Sequence, residues 1–359
     1  MAYTKKRRKN DPSYKKTRRN STGLTKADRT IEYVLDPAQS FEGGNNYFAD
    51  IGQSLSLTNR KLFSQTKVYG IESVEFLFQA NPATYDSISL FAFIAPDNWV
   101  LQNAHTKGHA LWTEMNQLVL EDNPSVEGKW ADYKVFLNPA HRNANLAVGY
   151  VGNLIPTVTS VPGALGANEY LQGEWNYSDY VMPQHDVDPA TGNPLPADVT
   201  NCHLIGDDIS FVNPDFSINY QSVGLIKAYA ESRARVNIDQ PNVPTGFENS
   251  FFNRLTDSGL QEPELGAVII DENDNPPYDR DNYPGGDLNV PGPVLAEFAS
   301  ASPGFPNGMM TSFVAPCGLI QFSAIAYKDG VGVAAPPILA KVTVMAGTYK
   351  GVAAIDMGQ

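Results

Sequence analysis

Residues 317–327 (CGLIQFSAIAY) and 338–346 (ILAKVTVMA) decide the fold class. Both are short apolar runs of strand length. Lys328-Asp329-Gly330 between them carries a hairpin-type turn signal, so the two are expected to pair. Moving outward, the same kind of run recurs. Ser87 to Ala95 (SISLFAFIA) is nearly continuous in apolar character, which predicts cover on both faces. Val68 to Phe78 is interrupted only by polar positions such as Glu72 and Glu75, and Ile31 to Leu35 alternates. Tyr133 to Leu137, Leu146 to Val151, Phe216 to Tyr220 and Leu225 to Val236 are further candidates, giving about nine strands. One stretch reads as helix: Asp97 to Leu120 sets Trp99, Leu101, Leu111, Trp112, Met115 and Leu118 among polar residues. Gly108 interrupts it, leaving one helix or two short pieces. With 26 prolines and 29 glycines, the chain favours turn-rich β structure. The expected fold is all-β: a jelly-roll sandwich over residues 31–359, with long insertions near 152–206 and 238–310.

Charge is strongly segregated. Residues 1–30 hold 11 Lys and Arg against Asp11 and Asp28, a net of +9. Residues 31–359 hold 15 basic and 37 acidic residues, a net of −22, and the two sum to the −13 of the whole chain. A basic tail on an acidic body implies that the tail meets a polyanion while the body avoids one. The tail has too few apolar residues to fold alone and is expected to be disordered. Its cations fall in two clusters, Lys5, Lys6, Arg7, Arg8 and Lys9, then Lys15, Lys16, Arg18 and Arg19. Positive charge on a flexible tether suffices to bind phosphates through counterion release, without sequence preference. Tyr3 and Tyr14 are available to stack on unpaired bases. The two clusters also read as a nuclear localisation signal, which would make a nuclear import receptor a partner. Within the body, Lys227, Tyr229, Glu231, Arg233 and Arg235 share one face of a strand-like run, making Lys227, Arg233 and Arg235 candidate interior DNA contacts. The 12 acids of residues 238–310 would repel packaged DNA, so that segment is expected on an outer surface or at subunit contacts.

The sequence offers little for catalysis, and neither an enzyme nor a cofactor is expected. His105 and His109 stand four apart, but no Glu follows His105, so the zinc-protease pattern fails. Residues 330–335 (GVGVAA) match a dinucleotide fingerprint in letters, yet Pro336-Pro337 stands where a helix would begin. The run Asp271 to Asn275 (DENDN) fails the calcium-loop template at Pro276 and Asn282. No metal ligand set is assigned. Asp207-Asp208 reads as a turn, and Cys202 and Cys317 as buried thiols. The N-terminus is charged with no apolar segment after it, so neither a secretory signal nor membrane insertion is expected.

Four segments carry a family resemblance: the arm MAYTKKRRK, residues 129–142 (KWADYKVFLNPAHR), residues 272–286 (ENDNPPYDRDNYPGG) and residues 342–353 (VTVMAGTYKGVA). Together they resemble capsid proteins of circular, Rep-encoding single-stranded DNA viruses, of circovirus-like or smacovirus-like type. The resemblance implies a single jelly roll, usually in 60 copies forming a small icosahedral shell, with the arm inside on the genome. It also implies a host receptor and a life in the virion and the host nucleus. The competing expectation is a cellular jelly-roll carbohydrate-binding module or glycosidase, using Trp112, Trp130 and Trp175. It leaves the basic arm without a role.

Overall fold

The computed structural model describes residues 26–40, 46–79, 81–146, 152–158, 168–182, 198–212, 218–232 and 292–358. The chain opens with strands β1 (Thr30–Leu35) and β2 (Asn46–Asp50), helix α1 (Ile51–Asn59), and strands β3 (Lys67–Phe78) and β4 (Ser87–Ile94). Helices α2 (Trp99–Asp122) and α3 (Pro139–Leu146) follow, then β5 (Thr157–Val158), β6 (Asn168–Glu169), β7 (Asp179–Met182), β8 (Asp198–His203), β9 (Ile209–Val212) and β10 (Ile218–Gly224), and helix α4 (Leu225–Ser232). Strands β11 (Val294–Ala301), β12 (Asn307–Met310), β13 (Phe313–Ala315), β14 (Leu319–Lys328), β15 (Val331–Val333), β16 (Ile338–Val344), β17 (Ala346–Tyr349) and β18 (Ala354–Asp356) complete it.

The result is a strand-rich chain with several antiparallel sheets and few helices. One sheet runs β12–β3–β16–β1–β5–β6, with β13 and β18 also on β3. A second runs β11–β4–β14–β15, with β2 also on β14. Period-two alternation brings them together. Ile31, Tyr33 and Leu35 of β1, Ile338, Ala340, Val342 and Val344 of β16, and Val74, Phe76 and Phe78 of β3 point inward from the first sheet. Ile88, Leu90, Ala92 and Ile94 of β4 and Ile320, Phe322, Ala324 and Ala326 of β14 meet them from the second, in one core. Registry keeps these faces aligned, with Ile31 opposite Val342 and Ala324 opposite Leu90.

Residues 95–293 lie between β4 and β11, which pair directly with each other. The described part of this insertion has a core of its own. There α2, α4 and a third sheet, β7–β8–β10–β9, pack around Leu101, Tyr133, Tyr180, Leu204 and Ile226. The stretch 152–206, expected as loop, thus supplies β5 through β8. Most of the acidic stretch, residues 238–291, lies outside the described residues, and its end forms β11 and β12.

Four expectations need correction. The turn at Asp329 and Gly330, with left-handed φ of 50° and 76°, does close a hairpin, but β14's partner across it is the short β15. Residues 338–344 instead cross to the other sheet as β16, between β1 and β3. A three-residue strand is too short to show periodicity, which is why the longer run was chosen. Second, β4 is covered fully on only one face, since Phe91 and Phe93 on the other are half-buried. Third, Leu225–Ser232 is helical, not extended. Its buried positions are Leu225, Ile226, Ala228 and Tyr229, the 3–4 spacing of a helix packed against α2. Fourth, Leu146 ends α3 rather than opening a strand, and residues 147–151 are outside the described set.

The α2 pattern resolves as a single 24-residue helix, capped by the Asn98 side chain accepting from Leu101 N at 2.8 Å. Gly108 is kept for packing. A Cβ there would lie 2.7 Å from the Tyr133 hydroxyl and 3.0 Å from Leu225 Cδ2. Its carbonyl also accepts a 2.8 Å hydrogen bond from the Tyr180 hydroxyl.

Candidate functional site

The insertion is held to the two-sheet body by a buried polar seam, which positions every surface discussed below. Asp50 ends β2 and caps α1. Its carboxylate accepts from Gln53 N at 3.0 Å, Gln65 Nε2 at 2.8 Å and Trp175 Nε1 at 3.1 Å. Burial pushes its carboxyl up to about 6, against the lowering effect of those three donors. The side chain of Gln65 bridges onward, its Oε1 accepting from Val135 N at 2.7 Å. Asn153 donates to Gln53 Oε1 at 2.7 Å and to the Tyr177 hydroxyl at 2.8 Å. Asn138 Nδ2 reaches Gln321 of β14 at 2.8 Å. Residues from both sides of the β4–β11 insertion point are therefore tied by side-chain bonds, and each buried group is satisfied.

Two histidines in this region have the tautomer of their neutral ring set by geometry. His141 Nδ1 accepts from Leu137 N at 3.1 Å, so the ring proton sits on Nε2, 2.7 Å from Asn153 Oδ1. His203 Nε2 faces the Asp207 carbonyl at 3.0 Å and must donate, leaving Nδ1 to accept from the Ser222 hydroxyl at 2.8 Å. A second proton on His141 would oppose the Leu137 N–H, whereas on His203 the Ser222 hydroxyl can turn to accept it. Burial lowers both to about 4, and lowers His105 to about 3. A folded value below the unfolded one contributes stability that is present above about 6.5 and lost as pH falls towards 4. Asp50 is raised and acts oppositely, favouring the fold as pH drops below about 6. Burial also lowers His109 and raises Asp179 and Asp208, so four imidazoles stand against three carboxyls. Each of the three fully buried histidines costs about 1.4 kcal/mol per pH unit in this window. The melting temperature should therefore fall between pH 6.5 and pH 4.5 in scanning calorimetry, and a flat or rising profile would contradict the assignment.

The outer face of the second sheet is divided. Near β2 and the start of β14, Phe48, Ala95 and Leu319 are buried in the insertion's core. Toward the β11 edge the face carries an aromatic strip. Phe298 stacks on Phe91 with ring centroids 5.8 Å apart, and Phe91 on Phe93 at 6.3 Å. Registry places Leu295 opposite Phe93. Phe298 is 53% exposed and Leu295 44%. Phe305, Met309 and Leu77 are also exposed at the neighbouring β3–β12 edge. An exposed Phe298 and Leu295 on an eight-residue edge strand, continued inward by the half-buried Phe91 and Phe93 of β4, make an apolar strip unusual for a surface facing only water.

The tryptophans proposed for sugar stacking are engaged otherwise. The Lys134 ammonium lies over both the Trp130 and Trp175 rings, 4.4 and 4.8 Å from their centroids. Trp112 packs near His109 and Tyr133. A cleft of about 670 Å³ does open beside Trp112 and Trp130, with Asp132 and Glu174 in its wall. Asp132 already accepts from Ser64 Oγ at 2.8 Å and Gln65 N at 3.0 Å, and Glu174 pairs with Lys129 at 2.9 Å.

Of the expected nucleic-acid contacts, Lys5, Lys6, Arg7, Arg8, Lys9, Lys15, Lys16, Arg18 and Arg19 lie outside the described residues, as do Arg233 and Arg235. Lys227 sits on α4 and pairs with Asp207 and, at 3.0 Å, with Asp208. Partial burial works against its charge, but the two carboxylates outweigh it and hold the ammonium protonated. A lysine satisfied by two carboxylates is a poor phosphate ligand. The shared strand face assumed for Lys227 and Tyr229 is also gone, because Tyr229 is buried in the insertion's core, edge-on to Trp99. Asp271 to Asn275 is outside the described residues, while Cys202 and Cys317 are both buried and unpaired. His105 and His109 pack against Tyr133. No described helix is long and apolar enough to cross a membrane. The chain matches no protein-family model, no curated protein and no solved structure.

Proposed function

We propose that the chain is the capsid protein of a small, circular, Rep-encoding single-stranded DNA virus. In this reading a jelly-roll subunit builds an icosahedral shell of 60 copies, and the basic arm neutralises the packaged genome. The observation that carries the reading is the nesting of strand pairs. β1 pairs with β16, β2 with β14, β3 with β12 and β13, and β4 with β11, all antiparallel. Among the longer strands the first thus meets the last, β16, and each later strand meets the next one inward, while the short C-terminal β18 adds to β3. The nested pairs fall alternately in the first and second sheets. That order arises when one long antiparallel hairpin is rolled up, which is the jelly-roll wrap, with β12 and β13 as one interrupted strand.

Two further features support the reading. The charge segregation gives each subunit a +9 arm, roughly 540 positive charges over sixty copies. The aromatic strip on β4 and β11 gives the body an apolar surface for a neighbouring copy, and a closed shell needs several such contacts per subunit. The carbohydrate reading finds less support, because the tryptophans it needs clamp Lys134 and hydrogen-bond Asp50. Electron microscopy of the purified chain tests the proposal. Regular closed particles are expected, and a dispersed monomer at high protein concentration would overturn it.

A further inference from the structure

The arm's root sits beside a group of cations on three separate segments. Asp28 N donates to Asn59 Oδ1 at 2.7 Å, and Asn59 Nδ2 returns a 2.9 Å bond to the Asp28 carbonyl. This reciprocal pair fixes the root against the end of α1. Arg60 then ends the helix in a left-handed conformation, φ 53°. Lys61 Nζ reaches back to the Lys26 carbonyl at 3.4 Å. From the turn between β17 and β18, Lys350, also left-handed at φ 52°, donates to the Leu62 carbonyl. Lys26, Arg60, Lys61 and Lys350 are all exposed, and none has an ion-pair partner among the described residues. Two of the carboxylates nearby are otherwise occupied. Glu72 pairs with Arg29 and Asp356 with Lys67, while Asp28 accepts only from Thr30 N and keeps its charge, leaving four cations against one carboxylate.

This grouping is unusual for the body, where residues 31–359 carry 15 basic residues against 37 acidic ones. Arg60, Lys61, Lys67 and Lys350 are four of those 15, gathered at the one place where the arm leaves. Two of the backbone carbonyls there are already used to anchor lysine side chains, which restrains the ammonium groups.

We infer that Lys26, Arg60, Lys61 and Lys350 form a fixed collar that binds the sugar–phosphate backbone of single-stranded nucleic acid where the arm joins the body. It rests on the capsid reading for the identity of the polyanion. The arm is a tether that captures phosphates anywhere within reach, while the collar holds them at one place on the body. Collar binding is therefore independent of base sequence and weakens with salt.

The test uses the full chain with Lys5 through Lys9, Lys15, Lys16, Arg18 and Arg19 replaced by alanine or glutamine, so that only the collar remains. Binding of an oligo-dT strand is measured against salt concentration. Three engaged phosphates predict a log–log slope of roughly −2. Adding Arg60→Asn, Lys61→Gln and Lys350→Asn leaves Lys26 alone of the collar and should cut the slope to about −0.7 or shallower. Asparagine is chosen at the two left-handed positions because it tolerates that backbone. The charge-preserving Lys61→Arg with Lys350→Arg should retain binding, which separates charge from folding. A slope unchanged by the triple substitution overturns the collar. If the triple variant still assembles into particles, the loss belongs to the collar alone. If the unmodified chain binds oligo-dT through the collar but never assembles, the capsid reading fails and the collar stands.

Discussion

Removing residues 1–20 should abolish most of the chain's affinity for single-stranded DNA. Nine Lys and Arg stand in these residues against Asp11 alone. If these residues engage six to nine phosphates, at roughly −0.7 per phosphate on single strands, the arm alone contributes a log–log salt slope between about −4 and −6. A tenfold rise in salt then weakens the arm's share of binding by about 10⁴ to 10⁶. The shortened chain should keep only the shallow slope of the collar, roughly −2. Lys5 through Lys9 to alanine should give an intermediate slope and weaken all base sequences about equally, since phosphate contacts carry no base information. β-sheet content should not change, because among the described residues the core and the side chains packed on it begin at Ala27. An unchanged slope would place the polyanion site on the body.

The second large effect is expected at the aromatic strip. Phe298→Asp puts a charge where a neighbouring subunit should cover an apolar ring, and burying an unpaired carboxylate costs several kcal/mol at each contact. Repeated around a shell, that loss should leave subunits or small oligomers in place of particles. The subunit's own stability should change little, because Phe298 is 53% exposed and surface substitutions usually stay within about 0.5 kcal/mol. Phe298→Leu should still assemble. Light scattering separates the outcomes, and particles of undiminished size from Phe298→Asp would mean that the strip faces solvent.

Much of the body was legible in the sequence for a physical reason: strands that bury one face alternate. Ile31, Tyr33 and Leu35 of β1 announce their inward face, whereas β4, nearly continuous in apolar character, reads as covered on both faces and is covered fully on one. What pattern alone does not supply is pairing. Lys328-Asp329-Gly330 signals a hairpin correctly, yet only the structure shows the chain spending three residues on β15 before Ile338–Val344 crosses to β1 and β3. Leu225–Ser232 shows the opposite difficulty. Its apolar positions fit a helix or a strand over so short a run, and α2 decides between them by offering a helical groove. The scale of the β4–β11 insertion is not legible in the sequence because its third sheet is made of strands of only four to seven residues, too short for a clear period. At the candidate site, the charge clusters of the arm are explicit in composition. The collar is not, because Lys26, Lys61 and Lys350 meet only after β17 and β18 bring the C-terminal end back beside α1.

The mass and content of the assembled particle test the central claim most directly. Sixty copies of a 39.1 kDa chain amount to about 2.3 MDa of protein. Sedimentation of the full chain, purified after nuclease treatment, should give a uniform particle of that protein mass carrying protected single-stranded nucleic acid. A chain that sediments as a 39.1 kDa monomer, or particles whose nucleic acid is fully digested, would contradict the account.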